Sequence, residues 1–334
     1  MTKKLLFIIP VLIFVSFNHG ISQEIISEKK LNHTDLENGL QYGPFTVNDN
    51  YLVWGEFYTQ SISIYDLETE KLNKLKLTKG RGPHEYQIFT SLSLTERNHL
   101  VIADPENIKL IVYDIGAGEF LEDKVFSNFL PYKLNAESNF FFGLDRSFSE
   151  NSLFYILKNK GGDIQHIPID MLSFDTHNEF AYPFRRDGVI ASNDSFGVFF
   201  PRYYPDLYIS NLKEKKFVGE ISYDEWYTEK GEQGTIRGKE AYFAPTNVDV
   251  TIKAATFMPA SKYSIMVLAR GEGEERSYKF NRLRIFDIQK EKFTGDLAFD
   301  FEVTNIATNS EFLFVYSKEE NAIFKYQIDP GKKD

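Results

Sequence analysis

Ser61-Ile62-Ser63-Ile64-Tyr65-Asp66-Leu67 and Leu110-Ile111-Val112-Tyr113-Asp114-Ile115 share one pattern: a β-rich run that stops on an acid. The pattern returns, with an amide in place of the acid in two cases, as Leu207-Tyr208-Ile209-Ser210-Asn211-Leu212, Leu283-Arg284-Ile285-Phe286-Asp287-Ile288 and Ile323-Phe324-Lys325-Tyr326-Gln327-Ile328. Such short runs, rich in β-branched and aromatic residues, read as strands. An Asp or Asn at the end can bond the backbone just beyond it and so turn the chain. Aligned on Asp66, Asp114, Asn211, Asp287 and Gln327, the repeats lie 48, 97, 76 and 40 residues apart. The spacing of 97 holds two units, with a degraded copy at Leu153 to Asn159. The chain therefore carries six units.

Each unit has a strand upstream of the repeat, at Tyr51–Trp54, Leu100–Ala103, Phe196–Phe200, Ile265–Ala269 and Phe312–Tyr316. A further strand precedes, as at Ile88–Leu94, and another comes after, as at Lys71–Leu77, Phe120–Phe126 or Lys216–Ser222. Four strands make a propeller blade. The predicted fold is all-β: a single six-bladed β-propeller with four-stranded antiparallel blades. Seven blades, or a two-sheet sandwich, are the competing architectures. The seventh would have to lie within Tyr223–Ala254, which lacks four clean strands. After Ile328 the chain is too short and polar for a last outer strand. Glu24–Leu31 is spare and is expected to close the ring by supplying it, hiding a sheet edge. The stretch 223–251 reads as an insertion between the fourth and fifth blades, with one short helix. Long loops of this kind are either functional or tolerated excursions.

The N-terminus has another logic. Lys3 and Lys4 precede an apolar run, Leu5 to Phe17, and a short polar stretch to Ser22. That is the layout of a secretory signal peptide, residues 1–22, with cleavage after Ser22. The run is too short for a membrane-spanning helix, which needs about 20 apolar residues. Export to the periplasm or the medium is expected, with residues 23–334 as one domain. No cysteine occurs, so a lipid anchor on cysteine, disulfides and thiolate metal sites are excluded. Losing Lys3 and Lys4 from 38 basic residues leaves 36 against 48 acidic ones. Such a chain repels phosphate backbones and anionic lipid, so nucleic acid and membrane are not expected partners. A monomer is expected.

The most specific short segment is Lys79-Gly80-Arg81-Gly82-Pro83-His84-Glu85-Tyr86. Two glycines around Arg81 admit backbone angles closed to other residues, and Pro83 fixes the next turn. Such a turn can aim successive N–H groups at an anion, or at a carboxylate of its own fold. Gly80 to Tyr86 resembles the Gly-Arg-Gly-Pro-x-Glu-aromatic segment of exported TolB-like or NHL-like six-bladed propellers of Gram-negative bacteria. His84 stands where that family carries a small residue. The resemblance implies a propeller outside the cytoplasm and transfers no catalytic residue.

Nucleophile-elbow, phosphate-loop, dinucleotide and His-Glu-x-x-His signatures are absent from the sequence. The histidines after the leader, His33, His84, His99, His166 and His177, are scattered singly. No cofactor is expected, although propellers can hold a structural Ca2+. In a four-stranded blade the turn between strands two and three shares a face with the link to the next blade. That face should carry Arg81 and His84, the second-strand ends Glu56, Asp104, Arg202, Arg270 and Lys318, the aromatics Tyr203 and Tyr204, and Trp226 of the insertion. Mixed charge among aromatics suits a peptide, a sugar or a small anion. The expected function is a non-catalytic binding face for a protein or small extracellular ligand. The alternative is a lactonase-like metal-dependent hydrolase or lyase, with Glu56, Asp104 and His84 as the local ligands.

Overall fold

A computed structural model describes residues 25–31, 43–56, 59, 61–126, 131–136, 140–145, 154–160, 163–169, 188–201, 206–214, 216–222, 232–236, 239–243, 252–269 and 280–328. The first strand, β1 (Ile25–Leu31), does not pair with the strand next to it in the chain. β2 (Phe45–Val47), β3 (Tyr51–Glu56), β4 (Ser61–Asp66) and β5 (Leu72–Lys76) form an antiparallel sheet in that order. Two short strands, β6 (Thr78–Lys79) and β7 (Glu85–Tyr86), then pair in parallel. The next sheet is β8 (Ser91–Leu94), β9 (His99–Asp104), β10 (Lys109–Asp114) and β11 (Glu119–Val125). Two more sheets come after it: β12 (Pro131–Ala136), β13 (Phe140–Asp145), β14 (Phe154–Lys160) and β15 (Asp163–Ile169), then β16 (Gly188–Ser192), β17 (Phe196–Pro201), β18 (Asp206–Asn211) and β19 (Lys216–Ser222).

A hairpin of β20 (Glu232–Ile236) and β21 (Lys239–Phe243) comes next. Within the described residues the insertion thus holds two strands, and the short helix expected there falls on no described residue. Residues 232–236 and 239–243 mix β-formers with charge, and cross-strand pairing satisfies their backbone without a helical apolar stripe. The last units are β22 (Ile252–Phe257), β23 (Ser264–Ala269), β24 (Arg282–Asp287) and β25 (Lys292–Ala298), then β26 (Asn305–Thr308), β27 (Phe312–Ser317) and β28 (Ala322–Ile328). β1 adds to β28 antiparallel, from Ile25 opposite Ile328 to Leu31 opposite Ile323. The architecture is an all-β propeller of antiparallel four-stranded blades. No helix among the described residues is long and apolar enough to cross a membrane.

The core lies between blades. One cluster joins Val53, Ile62 and Ile64 to Leu92, Leu100 and Ile102 of the next sheet. Others join Val101 and Leu110 to Leu134 and Phe141, then Phe142 and Leu144 to Ile190 and Phe199. Val198 and Phe200 meet Ile265 and Val267, and Met266 and Leu268 meet Leu313 and Val315. The last cluster brings Phe314, Tyr316 and Leu31 back against Leu52 and Trp54 of the first sheet. The alternation of the strands makes this possible, since successive side chains point to the blades on either side. Each fully buried side chain of this size contributes roughly 1.5–3 kcal/mol.

One interface is built differently. An aromatic precedes the turn acid or amide in four repeats, as Tyr65, Tyr113, Phe286 and Tyr326, but Ser210 stands there in β18. Opposite it in β17 is Gly197, where a Cβ would collide with the ring of Phe142. The larger Phe142 of the preceding blade fills the room those two small residues leave. The cost is the Ser210 hydroxyl, the one buried side-chain polar atom without a hydrogen-bond partner among the described residues.

The repeat's terminal acid or amide now has a cause. Asp66, Asp114, Asn211 and Asp287 each accept backbone N–H groups two or three residues on, closing the hairpin to the outer strand. A second turn series lies on the same face. Asn48, Asn193 and Asn309 each cap their own first hairpin and reach across to the neighbouring blade. Asn48 Nδ2 donates to Thr95 O at 2.8 Å, Asn193 Nδ2 to Lys262 O at 2.9 Å and Asn309 Nδ2 to Asn48 O at 3.5 Å.

Candidate functional site

The opposite face carries the blade-to-blade links, and the first of them, from β5 to β8, is built from the segment 79–86. Gly80 N–H donates to Tyr86 O at 2.8 Å, so the ends of the loop are tied where β6 and β7 pair. Between them Glu85 folds its carboxylate back inside, and Oε2 accepts the Gly82 N–H at 2.7 Å. A Cβ at Gly80 would collide with that carboxylate, and one at Gly82 would crowd it. The glycines are there because the loop wraps its own acid. Of the two uses foreseen for this turn, it serves a carboxylate of its own fold.

The second blade clamps the loop from outside. Asn107 Nδ2 donates to Gly80 O at 2.9 Å and Lys109 Nζ to Gly82 O at 3.0 Å. Lys109 is buried and also pairs with Asp123 Oδ2 at 2.8 Å. Asp123 accepts the His84 N–H at 2.7 Å and lies 3.0 Å from its Nδ1. Burial alone would raise the Asp123 pKa, but the Lys109 and His84 donors outweigh it and hold the carboxyl below its ordinary value. The His84 ring stacks on Phe120 at 4.9 Å, and His84 itself takes φ 58°. Asp104 accepts Gln87 N–H at 2.9 Å and both donors of Asn107. Burial, helped by Asp104, raises the pKa of Tyr86.

Arg81 is left over. Its side chain is exposed and takes no partner among the described residues. A loop closed on itself and bonded to the second blade thus displays a guanidinium that no described residue uses.

The other residues foreseen for this face fall into two kinds of position. Glu56 and Asp104 end their second strands and are buried. Glu56 accepts the hydroxyls of Thr59 at 2.6 Å, Ser61 at 3.0 Å and Ser63 at 3.3 Å, with Lys74 Nζ at 3.9 Å. Their counterpart in the last blade is Ser317, whose Oγ accepts the Glu320 N–H at 3.2 Å. Lys318 sits one residue later, in the turn, and is exposed. Among the described members of that face, Glu56 and Asp104 are strand-end residues turned inward and Lys318 is a turn residue turned out. Arg202, Tyr203, Tyr204, Trp226 and Arg270 lie outside the described residues. Glu56, Asp104 and His84 are not brought together, each being held by its own partners. Among the described residues no three His, Asp or Glu side chains are grouped to hold a metal ion.

Sequence reasoning misses the link-clamping pair Lys109 and Asp123, since each reads as an ordinary strand residue. A lysine at the first position of a buried repeat strand is the available signal. A cleft of about 390 Å3 opens on the other face, between the first and last blades, lined by Asp49, Tyr51, Asp66, Phe312 and Lys325. Asp49 and Asp66 there accept turn donors of the fold.

No family profile and no curated protein matches the chain. Among solved structures it is similar to the β-propeller domain of Myceliophteria thermophila Cps50 (Swd1), at 11% identity and TM-score 0.50, over 92% of this chain and 100% of that one. It is also similar to the RRP9 WD40 repeats, at 10% identity and TM-score 0.51, over 85% of this chain and 79% of that one. The TolB-like or NHL-like resemblance of 80–86 finds no counterpart in these comparisons. At such identities the likeness is one of fold: the chain is a β-propeller.

Proposed function

We propose that this chain is an exported, monomeric, six-bladed β-propeller without catalytic chemistry, which captures a carboxylate-bearing protein or small ligand on its link face. The basic Lys3–Lys4 pair and the apolar run to Phe17 support export. The cyclic run of interblade cores supports the blade count. The Gly80–Tyr86 segment supports kinship with TolB-like or NHL-like propellers.

One observation carries the ligand class: Arg81 stands exposed, with no partner among the described residues, on a loop held by its own acid and by the second blade. Guanidinium groups take carboxylates through paired donors. A loop ordered before binding loses little further freedom, which favours affinity. Lys318 belongs to the same face by topology. The test is thermal unfolding with citrate, oligogalacturonate and a peptide with an acidic C-terminus, for the parent and Arg81→Gln. Alone, the substitution should cost under about 0.5 kcal/mol. A carboxylate present at about a hundred times its Kd stabilises by about 2.7 kcal/mol, and should shift the parent and not the variant. Equal shifts in both proteins, or none from any carboxylate, overturn the reading.

A further inference from the structure

The outer edge of the first blade differs from every other. From Lys71 to Arg81 the sequence holds Lys71, Lys74, Lys76, Lys79 and Arg81, and no acid. All five are exposed. Each of the other outer strands, β1, β11, β15, β19 and β25, carries at least one Asp or Glu. The cationic strip is thus a property of one blade within a chain of net charge −10, and not a habit of the repeat. Lys74 approaches Glu56 at 3.9 Å, but Lys76 and Lys79 meet no carboxylate among the described residues.

β5 is also a sheet edge. It pairs with β4 alone, so its outer backbone groups are not used in the sheet. From Leu72 to Lys76 the strand spans about 17 Å, at 3.3–3.4 Å per residue, with Lys71 and Lys79 flanking it. Lys74 and Lys76 share one side of it, and Leu75 packs inward on the other, against the core shared with the second blade.

We propose that this edge receives an extended acidic segment of a partner protein, which adds as a fifth strand beside β5. Strand addition draws affinity from main-chain hydrogen bonds and specificity from alternate side chains. Here the alternate side chains are lysines, and acids on the incoming strand would face them as opposite-charge cross-strand pairs. The same lysines bar a second copy of this chain, because β5 laid beside β5 sets like charges opposite each other. A nucleic acid would meet the strip but also the field of a net acidic molecule. The surface is the rim beside β5, beyond which Arg81 lies. Arg81→Gln, which removes the cation that the link-face reading needs, should leave acidic-peptide binding within about twofold, so the two readings fail separately.

The probe is a fluorescein-labelled decapeptide of alternating Glu and Val, monitored by anisotropy against the full chain. Its comparators are the same peptide with Lys for Glu, the acidic peptide N-methylated at alternate residues, and an oligothymidylate of similar charge. The acidic peptide should bind, and the other three should bind at least about tenfold more weakly. Lys76→Glu with Lys79→Glu should weaken the acidic peptide about tenfold or more, while Lys292→Glu on the fifth blade's edge should not. Unchanged circular dichroism shows that the double variant folds. If it does not fold, Lys76→Gln with Lys79→Gln takes its place, with a smaller loss in the same direction. Equal binding of the N-methylated peptide or the oligothymidylate overturns strand addition in favour of plain charge attraction. No binding of the acidic peptide overturns the proposal altogether.

Discussion

Replacing Lys109 by Met tests whether the first blade link is held as the geometry implies. Lys109 is 3% exposed and makes two polar contacts, to Gly82 O at 3.0 Å and to Asp123 Oδ2 at 2.8 Å. Met keeps most of the aliphatic volume, so packing changes little. What is lost is the charged donor to a partly buried carbonyl, about 1.5–3 kcal/mol, and the partner of a mostly buried carboxylate. Breaking buried pairs costs about 3–5 kcal/mol. Asp123 retains its two His84 contacts, which places the expected loss near the lower end, about 3 kcal/mol. Urea unfolding, read by the fluorescence of buried Trp54, measures it, with an unchanged m-value. The acid limb adds a signed test. The folded pKa of Asp123 lies below its ordinary 3.8, so its contribution is complete above about that pH. It drains away as the pH falls through the folded value. Lys109→Met removes the main opposing charge, so the gap between parent and variant should narrow below about pH 4. A loss under about 1 kcal/mol, or a gap that widens in acid, would refute the clamp.

The packing sets two further outcomes. Ser210→Ala deletes a buried hydroxyl that has no partner, and should raise stability by about 0.5–1 kcal/mol in the same urea assay; a loss of more than that would mean the hydroxyl is bonded after all. Removing residues 23–31 strips β1 from β28 and bares an edge that carries Phe324, Tyr326 and Ile328; light scattering should show aggregation at concentrations where the parent stays monodisperse, and an equally soluble truncation would count against ring closure by β1.

The fold is legible because its rules are local. A strand that must feed cores on both sides keeps its apolar content in every blade, and the hairpin after it needs an Asp or Asn to hold its turn. Both leave marks within a few residues, so the repeat around Asp66, Asp114, Asn211 and Asp287 can be read directly. The Asn48, Asn193 and Asn309 series is as regular but less visible. Asn48-Asp49-Asn50 reads as a hairpin turn, which it is. The inter-blade bond of its amide joins residues far apart in sequence. The stretch 223–251 is hard to read for the opposite reason. The stretch has no repeat to be compared with, and its Trp, Tyr and charged residues suit a hairpin as well as a helix.

The candidate site is legible only where composition fixes geometry. Gly80-Arg81-Gly82 announces an unusual turn, and Glu85, three residues beyond Gly82, is the acid it encloses; Arg81 is what remains once that enclosure is accounted for. The charges foreseen for the link face are placed at a tolerance of one residue, and their described members divide accordingly. In a strand a single step reverses the side chain, and at a strand end it separates the sheet from the turn. Ser317 and Lys318 show both outcomes in adjacent positions: one buried and capping the turn, the other exposed. Glu56 and Asp104 belong with Ser317. Their carboxylates are therefore spent on Ser, Thr, Asn and backbone donors of their own blades, and cannot also face a ligand. Around the first blade the link face consequently offers a cation that has no counter-charge among the described residues. A carboxylate on the incoming molecule is the chemistry that completes it.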